Sequence, residues 1–146
     1  MDEAAFGNAR GTIAGPACVF ERALLARCAD CRNAARHALA EREAAGCRSP
    51  VAHTNCATLL QLVRERSTFA LKIASTDAPL RHALAMRLQC GGLEGVAHAV
   101  AVDGANDVHT MVVDAQARYG ALGSLPWPAI VAAVVGWQGR RRGGAP

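Results

Sequence analysis

Apolar residues recur at helical spacing near the start of the chain. At ~3.6 residues per turn, one face about 100° wide holds Phe20, Leu24, Cys28, Cys31, Ala35, Ala38 and Leu39. Arginines occupy the other faces of the same segment. The pattern therefore predicts one amphipathic helix that begins near Pro16 and ends near Gly46.

Ser49 and Pro50 mark the start of a second helix. Serine is a preferred N-cap residue, and proline is favoured at the first helical position. Apolar residues continue along one face as far as Ile73, so a helix is predicted over much of 50–72. An alternative start at Thr54 would place Cys56 within the first helical turn.

Glycine and proline divide the next part of the chain. A third helix is predicted to begin at 77–79 and to end at Gly91 and Gly92, which places Cys90 at a helix C-terminus. Residues 96–102 fit either a short helix or one arm of a hairpin that turns at 103–104. We favour the helix.

Two further helices are predicted towards the C-terminus. Asn106 or Asp107 can cap a helix that ends at Gly120. The last helix follows Ser124 and continues through Val135. Short turns connect these segments, and no internal repeat is present.

These segments together predict an all-α fold. A chain of 146 residues is the size of one domain. We expect a compact single-domain helical bundle of about five to six helices. Residues 1–16 would form a flexible N-terminal lead-in, 17–138 the helical cysteine-rich domain, and 139–146 a basic flexible tail.

Hydropathy and charge exclude several classes of function. The longest strongly apolar stretch, 130–137, is far shorter than the ~20 residues that cross a bilayer. The acidic first residues lack the positive charge of a secretory signal, so we expect a cytoplasmic protein without membrane contact. The net charge is +4, and the arginines at 140–142 supply most of it. No folded face is therefore predicted to bind nucleic acid.

The six cysteines are the main chemical signal in the sequence, because structural disulfides are rare in a reducing compartment. Cys28 and Cys31 form a C-x2-C pair, and Cys47 and Cys56 follow. Thiolates in such numbers bind zinc or iron–sulfur clusters. We predict these four residues as the metal ligands. A competing set has Cys90 in place of Cys47, and the residue that is not a ligand would lie in the wall of the site.

Helix length is the main objection to this set. Cys28 lies about 18 residues, or ~27 Å of helix, from the turn that carries Cys47. The prediction therefore requires the first helix to break between Asn33 and Ala45. Cys18 is predicted to be dispensable, because it lies about ten residues, or ~15 Å of helix, before Cys28.

We expect an iron–sulfur cluster at these cysteines rather than zinc. The C-x2-C pair lies in a helical pattern and lacks the glycine of a zinc knuckle. Glycines beside Cys47 and Cys90 allow backbone amides to approach cluster sulfur, and neighbouring arginines would offset the charge of four thiolates. His53 could replace one cysteine as a ligand. Two other interpretations stay open, namely small buried hydrophobes and a thiol redox pair.

The predicted function is that of a small iron–sulfur protein with a 4Fe–4S cluster, acting in electron transfer, redox sensing or the assembly of a metalloenzyme. The alternative is a zinc-stabilised helical module that binds a protein without catalysis. No nucleophile and base occur at a catalytic spacing, so an enzyme is not favoured. A protein partner or a homodimer is expected, with Trp127, Trp137 and the arginine tail as candidate contacts.

Overall fold

A computed structural model describes residues 15–74, 79–100 and 107–139. Within these ranges the chain is mostly helical, as predicted, but the predicted pure bundle is wrong because a two-stranded sheet is also present. In chain order the elements are α1 (Glu21–Leu25), β1 (Ala34–Leu39), β2 (Arg42–Cys47), α2 (Pro50–Leu71), α3 (His82–Met86), a π-helical turn (Arg87–Gly91), α4 (Gly92–Val100), α5 (Val108–Tyr119), a 3-10 turn (Leu122–Ser124) and α6 (Trp127–Gly136).

The single long helix predicted over 16–46 is wrong, because α1 ends after five residues. Arg27 adopts a left-handed φ of 64°. The amides of Arg27 and Cys28 bond back to the carbonyls of Leu24 and Ala23, at 3.1 and 2.9 Å. These two bonds form a Schellman motif, which stops the helix and turns the chain.

The antiparallel hairpin of β1 and β2 replaces the rest of that helix, with Ala34 opposite Cys47. Its buried residues include Ala35, Ala44 and Ala45. Small side chains fit a helical face and a closely packed hairpin equally well, so their spacing did not reveal the strands. The hairpin is also the break in the helix that the predicted cysteine set requires.

The predicted start of α2 is confirmed. The Ser49 hydroxyl accepts a hydrogen bond from the Ala52 amide at 3.1 Å, and Pro50 is the first helical residue. The alternative start at Thr54 is wrong. Cys56 therefore lies in the second turn of α2, beyond the first-turn amides that would stabilise a thiolate most strongly.

The predicted helix end at Gly91 and Gly92 is wrong, because the chain stays helical from α3 through α4. The glycines in this segment instead allow it to pack closely against α6. A Cβ atom on Gly91 would lie 2.8 Å from the Cα of Val134, and the nearest atom of α6 to such a Cβ on Gly95 is 2.9 Å away. The glycines therefore let α4 and α6 approach each other closely.

The remaining helices agree with the sequence. Residues 96–100 lie in α4, so the helix favoured there is confirmed. Asp107 caps α5 by accepting a hydrogen bond from the Thr110 amide at 3.0 Å, and Gly120 follows the end of α5 with a φ of 81°. The last helix, α6, follows Ser124 as expected.

The core lies where α1, α2 and the helices from α3 to α6 meet. Its largest fully buried side chains include Phe20, Leu24, Leu59, Leu88 and Ile130. Within the described ranges, no helix combines the length and the apolar character that crossing a membrane requires. Several predictions fall outside these ranges: most of the lead-in, the helix start at 77–78, the turn at 103–104, the Asn106 cap and nearly all of the tail.

Candidate metal centre

Four of the six cysteines line one small cavity beside the hairpin. The cavity measures about 20 Å³, which is room for about one water molecule. Ionisation of any one of these four thiols disfavours ionisation of the others, because like charges repel. The four residues come from different segments of the chain and are Cys18, Cys31, Cys47 and Cys56.

The segment before α1 pairs with β2 and thereby positions two of these thiols. The Cys18 amide donates to the Ala45 carbonyl at 2.9 Å, and the Cys47 amide donates to the Pro16 carbonyl at 2.8 Å. Gly15 permits this close approach, because its φ is 81° and a Cβ atom there would clash with the carbonyl oxygen of Cys47. Backbone pairing therefore brings Cys18 and Cys47 to the same cavity.

Cys31 lies in the loop between α1 and β1, and this loop is docked on the N-terminus of α5. Before the cysteine, the Asp30 carbonyl accepts a hydrogen bond from the Val108 amide at 2.8 Å. After it, the Arg32 amide and Nε donate to the Asp107 carboxylate at 2.6 and 2.9 Å. The backbone on both sides of Cys31 is thus fixed to α5.

Cys56 and His53 both reach the cavity from α2, where residues three apart lie on one face. His53 Nε2 lies 3.0 Å from the Ala17 carbonyl oxygen, to which the Nε2–H tautomer donates. His109, in the first turn of α5, adds a second imidazole to the cavity wall. The Ala17 bond occupies one ring nitrogen of His53 and ties α2 to the segment that carries Cys18.

Backbone amides are directed at two of the four sulfurs. The Phe20 amide donates to Cys18, and the amides of Asn33 and His109 donate to Cys31. Amide bonds to sulfur favour the thiolate over the thiol. They also recur around metal-bound cysteines, where they tune the electronic properties of the centre.

Burial favours the protonated form of three of the four thiols. Desolvation raises the pKa of Cys18 to about 11 and that of Cys56 to about 12, and it also raises the pKa of Cys31. The neighbouring thiols raise these pKa values further, because like charges oppose ionisation. A bound metal would displace the protons. Thiols held in the protonated form are poor nucleophiles at neutral pH.

Cys28 and Cys90 do not face this cavity. Their side chains share a hydrogen bond, and they line a separate cavity. The C-x2-C pair is thus divided, with Cys31 facing the hairpin and Cys28 facing the π-helical turn. Three of the ligands predicted from the sequence meet, and they are Cys31, Cys47 and Cys56.

Cys18 lines the cavity, although the ligand set predicted from the sequence left it out. The exclusion rested on a continuous helix between Cys18 and Cys28, whereas Cys18 precedes the short helix α1. No local pattern reveals its role, because pairing with β2, far along the sequence, positions this cysteine. The glycine and proline just before it indicate only a turn.

Within the described ranges, no three histidine, cysteine, aspartate or glutamate side chains are arranged to hold one metal ion. Comparison with protein-family models, with curated proteins and with solved structures finds no match to this chain. The geometry of the cysteines is therefore the basis for a functional assignment.

Proposed function

We propose that this protein binds an iron–sulfur cluster, of the 4Fe–4S type, through Cys18, Cys31, Cys47 and Cys56. The observation that carries the proposal is the convergence of four thiols from separate segments on one cavity. Single cysteines are often buried as small hydrophobes, but packing alone gives no reason for four to face the same space. The proposed set differs from the set predicted from the sequence by having Cys18 in place of Cys28.

A cluster and a single ion require different spacings of four thiolates. Around zinc, each of four sulfurs lies about 2.3 Å from the same ion, so the sulfurs are in mutual contact. In a 4Fe–4S cluster each thiolate binds a different iron, so the sulfurs lie further apart. Four cysteines line the cavity, and among the described residues no three potential ligands are arranged around one ion.

Backbone amides take the stabilising role that the sequence suggested for arginines. The Arg32 guanidinium lies 2.9 Å from Asp107, so its charge is already offset. The amides of Phe20, Asn33 and His109 point at sulfur instead. Fixed amide dipoles stabilise a negative centre without bringing a mobile side chain into the site.

The position of the site supports exchange of single electrons with a partner. Cys47 is buried, whereas the other three thiols of the set are half-buried. A cluster held by them would lie close to the protein surface, where a second protein or an oxidant can approach. Electron transfer or redox sensing is therefore the role that we propose, with a redox protein as the partner.

A zinc-stabilised interaction module is the second candidate. The observation that favours it is the size of the cavity, because about 20 Å³ holds one small ion more readily than a cluster. Four cysteines form a complete tetrahedral set for structural zinc. In that case the metal would join the Cys18 segment, the hairpin and α2 without any redox chemistry.

Purification of the full chain without oxygen tests the two candidates directly. The cluster proposal predicts brown protein that absorbs near ~400 nm, contains about four iron and four sulfide per chain, and gives a paramagnetic resonance signal after reduction. Colourless protein with stoichiometric zinc and no sulfide would support the second candidate. If anaerobic reconstitution with iron, sulfide or zinc leaves the chain without metal, both proposals are wrong.

A further inference from the structure

We propose that Cys28 and Cys90 form a second thiol site, which closes to a reversible disulfide when the protein meets a small hydroperoxide. This site goes beyond cluster binding, because neither residue faces the four-cysteine cavity. The two thiols meet in a cavity of their own and share a hydrogen bond there. Two thiols that lie side by side meet the first requirement for a disulfide.

The π-helical turn carries Cys90 towards the end of α1. Such a turn holds an extra residue compared with a regular one, and π-helical turns are frequent at functional sites. It buries the consecutive residues Gln89 and Cys90. Gln89 Oε1 accepts a hydrogen bond at 3.1 Å from the Ala23 amide, a first-turn donor of α1 without a helical partner. Cys28 is the last residue of the Schellman motif that ends α1, so two neighbouring contacts hold this short helix against the π-helical turn.

The cavity beside this pair admits small molecules. It measures about 320 Å³, and its wall includes Met111, Trp137, Glu94 and His98. Cys28 is half-buried, whereas only 3% of Cys90 is exposed. A peroxide entering the cavity would therefore meet the Cys28 sulfur first, with Cys90 placed behind it to complete the reaction.

The reaction balances with hydrogen peroxide as the oxidant. Cys28 loses its thiol proton and its sulfur attacks one peroxide oxygen, which breaks the O–O bond and forms a sulfenic acid on Cys28. The other peroxide oxygen leaves as hydroxide and takes up that proton to become water. The Cys90 sulfur then displaces the hydroxyl group, which leaves as a second water with the Cys90 proton. Two thiols are oxidised by two electrons and one peroxide is reduced. A dithiol reductant reverses the bond by thiol–disulfide exchange.

The disulfide would enclose residues 28–90, and so would connect segments that are distant in sequence. Closing a long loop restricts the unfolded chain and stabilises the folded one. The enclosed segment carries three of the four proposed cluster ligands, so the oxidised pair would hold those ligands in place. This last consequence, unlike the disulfide itself, rests on the proposed function.

Mapping of thiols after peroxide treatment tests the inference. The full chain, purified reduced and without oxygen, is treated with one equivalent of hydrogen peroxide, and the remaining thiols are blocked with N-ethylmaleimide in denaturant. Protease cleavage after Arg22 and Arg27 separates Cys28 from Cys18, and cleavage before Asp30 separates it from Cys31, so mass spectrometry can assign each sulfur. We expect a peptide pair joined through Cys28 and Cys90 in most molecules, lost after dithiol reduction. Alkylation of both residues, or a bond from Cys28 to Cys31, would overturn the inference.

Two variants keep this test separate from the cluster proposal. In Cys90→Ser, a sulfenic acid should persist on Cys28 and react with dimedone, since the second sulfur is missing. Cys18→Ser removes a proposed cluster ligand but leaves the pair unchanged, so the joined peptides should still form. Joined peptides without any iron would support this inference alone, and a cluster without joined peptides would support only the proposed function.

Discussion

The two groups of cysteines in this molecule are assembled in different ways. The four-cysteine cavity collects thiols from separate segments, and backbone amides are directed at two of its sulfurs. The other group joins the end of α1 to the π-helical turn. There the free thiols of Cys28 and Cys90 share a hydrogen bond. Four thiols spread around a cavity suit a metal cluster, whereas two thiols in contact suit a disulfide.

The division of the C-x2-C motif shows why spacing alone misleads. Arg27 turns the chain just before Cys28, and the bond between the Asp30 carbonyl and the Val108 amide fixes the backbone just before Cys31. These contacts direct the two thiols to different sites. Cysteines three apart share a centre only when the chain between them is free to converge, and here α1 and α5 set its path.

Serine substitutions in the two groups of cysteines should have the most different effects on bound iron and sulfide. Cys18→Ser is expected to lower bound iron and sulfide to near zero, because it removes one of four ligands and serine oxygen is a poorer ligand for iron in a cluster. Cys28→Ser is expected to keep the wild-type content, since its side chain faces the other cavity. Iron and sulfide analysis after anaerobic reconstitution measures both.

Far-ultraviolet circular dichroism of the two serine variants provides the control for folding. Equal helical content would show that any loss of iron reflects a missing ligand and not a missing fold. Full iron in Cys18→Ser together with loss in Cys28→Ser would return the ligand set to the one predicted from the sequence.

Much of the helical part of the fold could be predicted because its signals are local. The caps at Ser49 and Asp107 and the helix end at Gly120 each depend on a few adjacent residues. The glycines at 91 and 92 show the limit of that approach. A glycine that ends a helix and a glycine that admits a neighbouring helix are the same in sequence, and only the position of α6 distinguishes them.

The candidate site could be predicted in part. Helix length alone required a break before Cys47, and the hairpin provides it. The strands themselves were not predictable, because alanine lacks the preference for strands that β-branched and aromatic residues have. Cys18 was missed for a related reason, since its place depends on backbone pairing with Ala45 and not on its neighbours.

An added methyl group should destabilise the protein more at Gly91, next to Cys90, than at Gly136, at the end of α6. Gly91→Ala is expected to lower the free energy of unfolding by about 2 kcal/mol, because its Cβ would meet the backbone of α6. Gly136→Ala is the matched control, since nothing lies within 4 Å of a Cβ at that position. Urea unfolding of the reduced, metal-free protein measures the difference. Equal stability of the two variants would show that α6 does not pack on the π-helical turn in this way.

Loss of the Asp107 side chain should have a smaller effect on stability and a distinct effect on the site. Asp107→Ala removes the cap of α5 and the anchor of Arg32, so unfolding should become easier by about 1 kcal/mol. The loop that carries Cys31 would also lose a support, so iron content should fall. Asp107→Asn keeps a capping oxygen, so this variant is expected to retain most of the stability and most of the bound iron. If Asp107→Ala binds iron as the wild type does, the docking of this loop does not position Cys31.

The smallest effect concerns the pH dependence of the metal-free protein, and it tests burial of the thiols. Burial raises the pKa of Cys18 from its ordinary value of 9.0 to about 11, and that of Cys56 to about 12. Below pH 9 both the folded and the unfolded chain keep these protons, so stability does not depend on them. Above pH 9 the unfolded chain loses these protons before the folded chain does. The free energy of unfolding should therefore fall as the pH rises towards 11 and 12. Urea midpoints from pH 7 to 10.5 should therefore fall more steeply for the wild type than for the double variant Cys18→Ser/Cys56→Ser. Parallel curves would mean that both thiols are as hydrated in the folded chain as in the unfolded one.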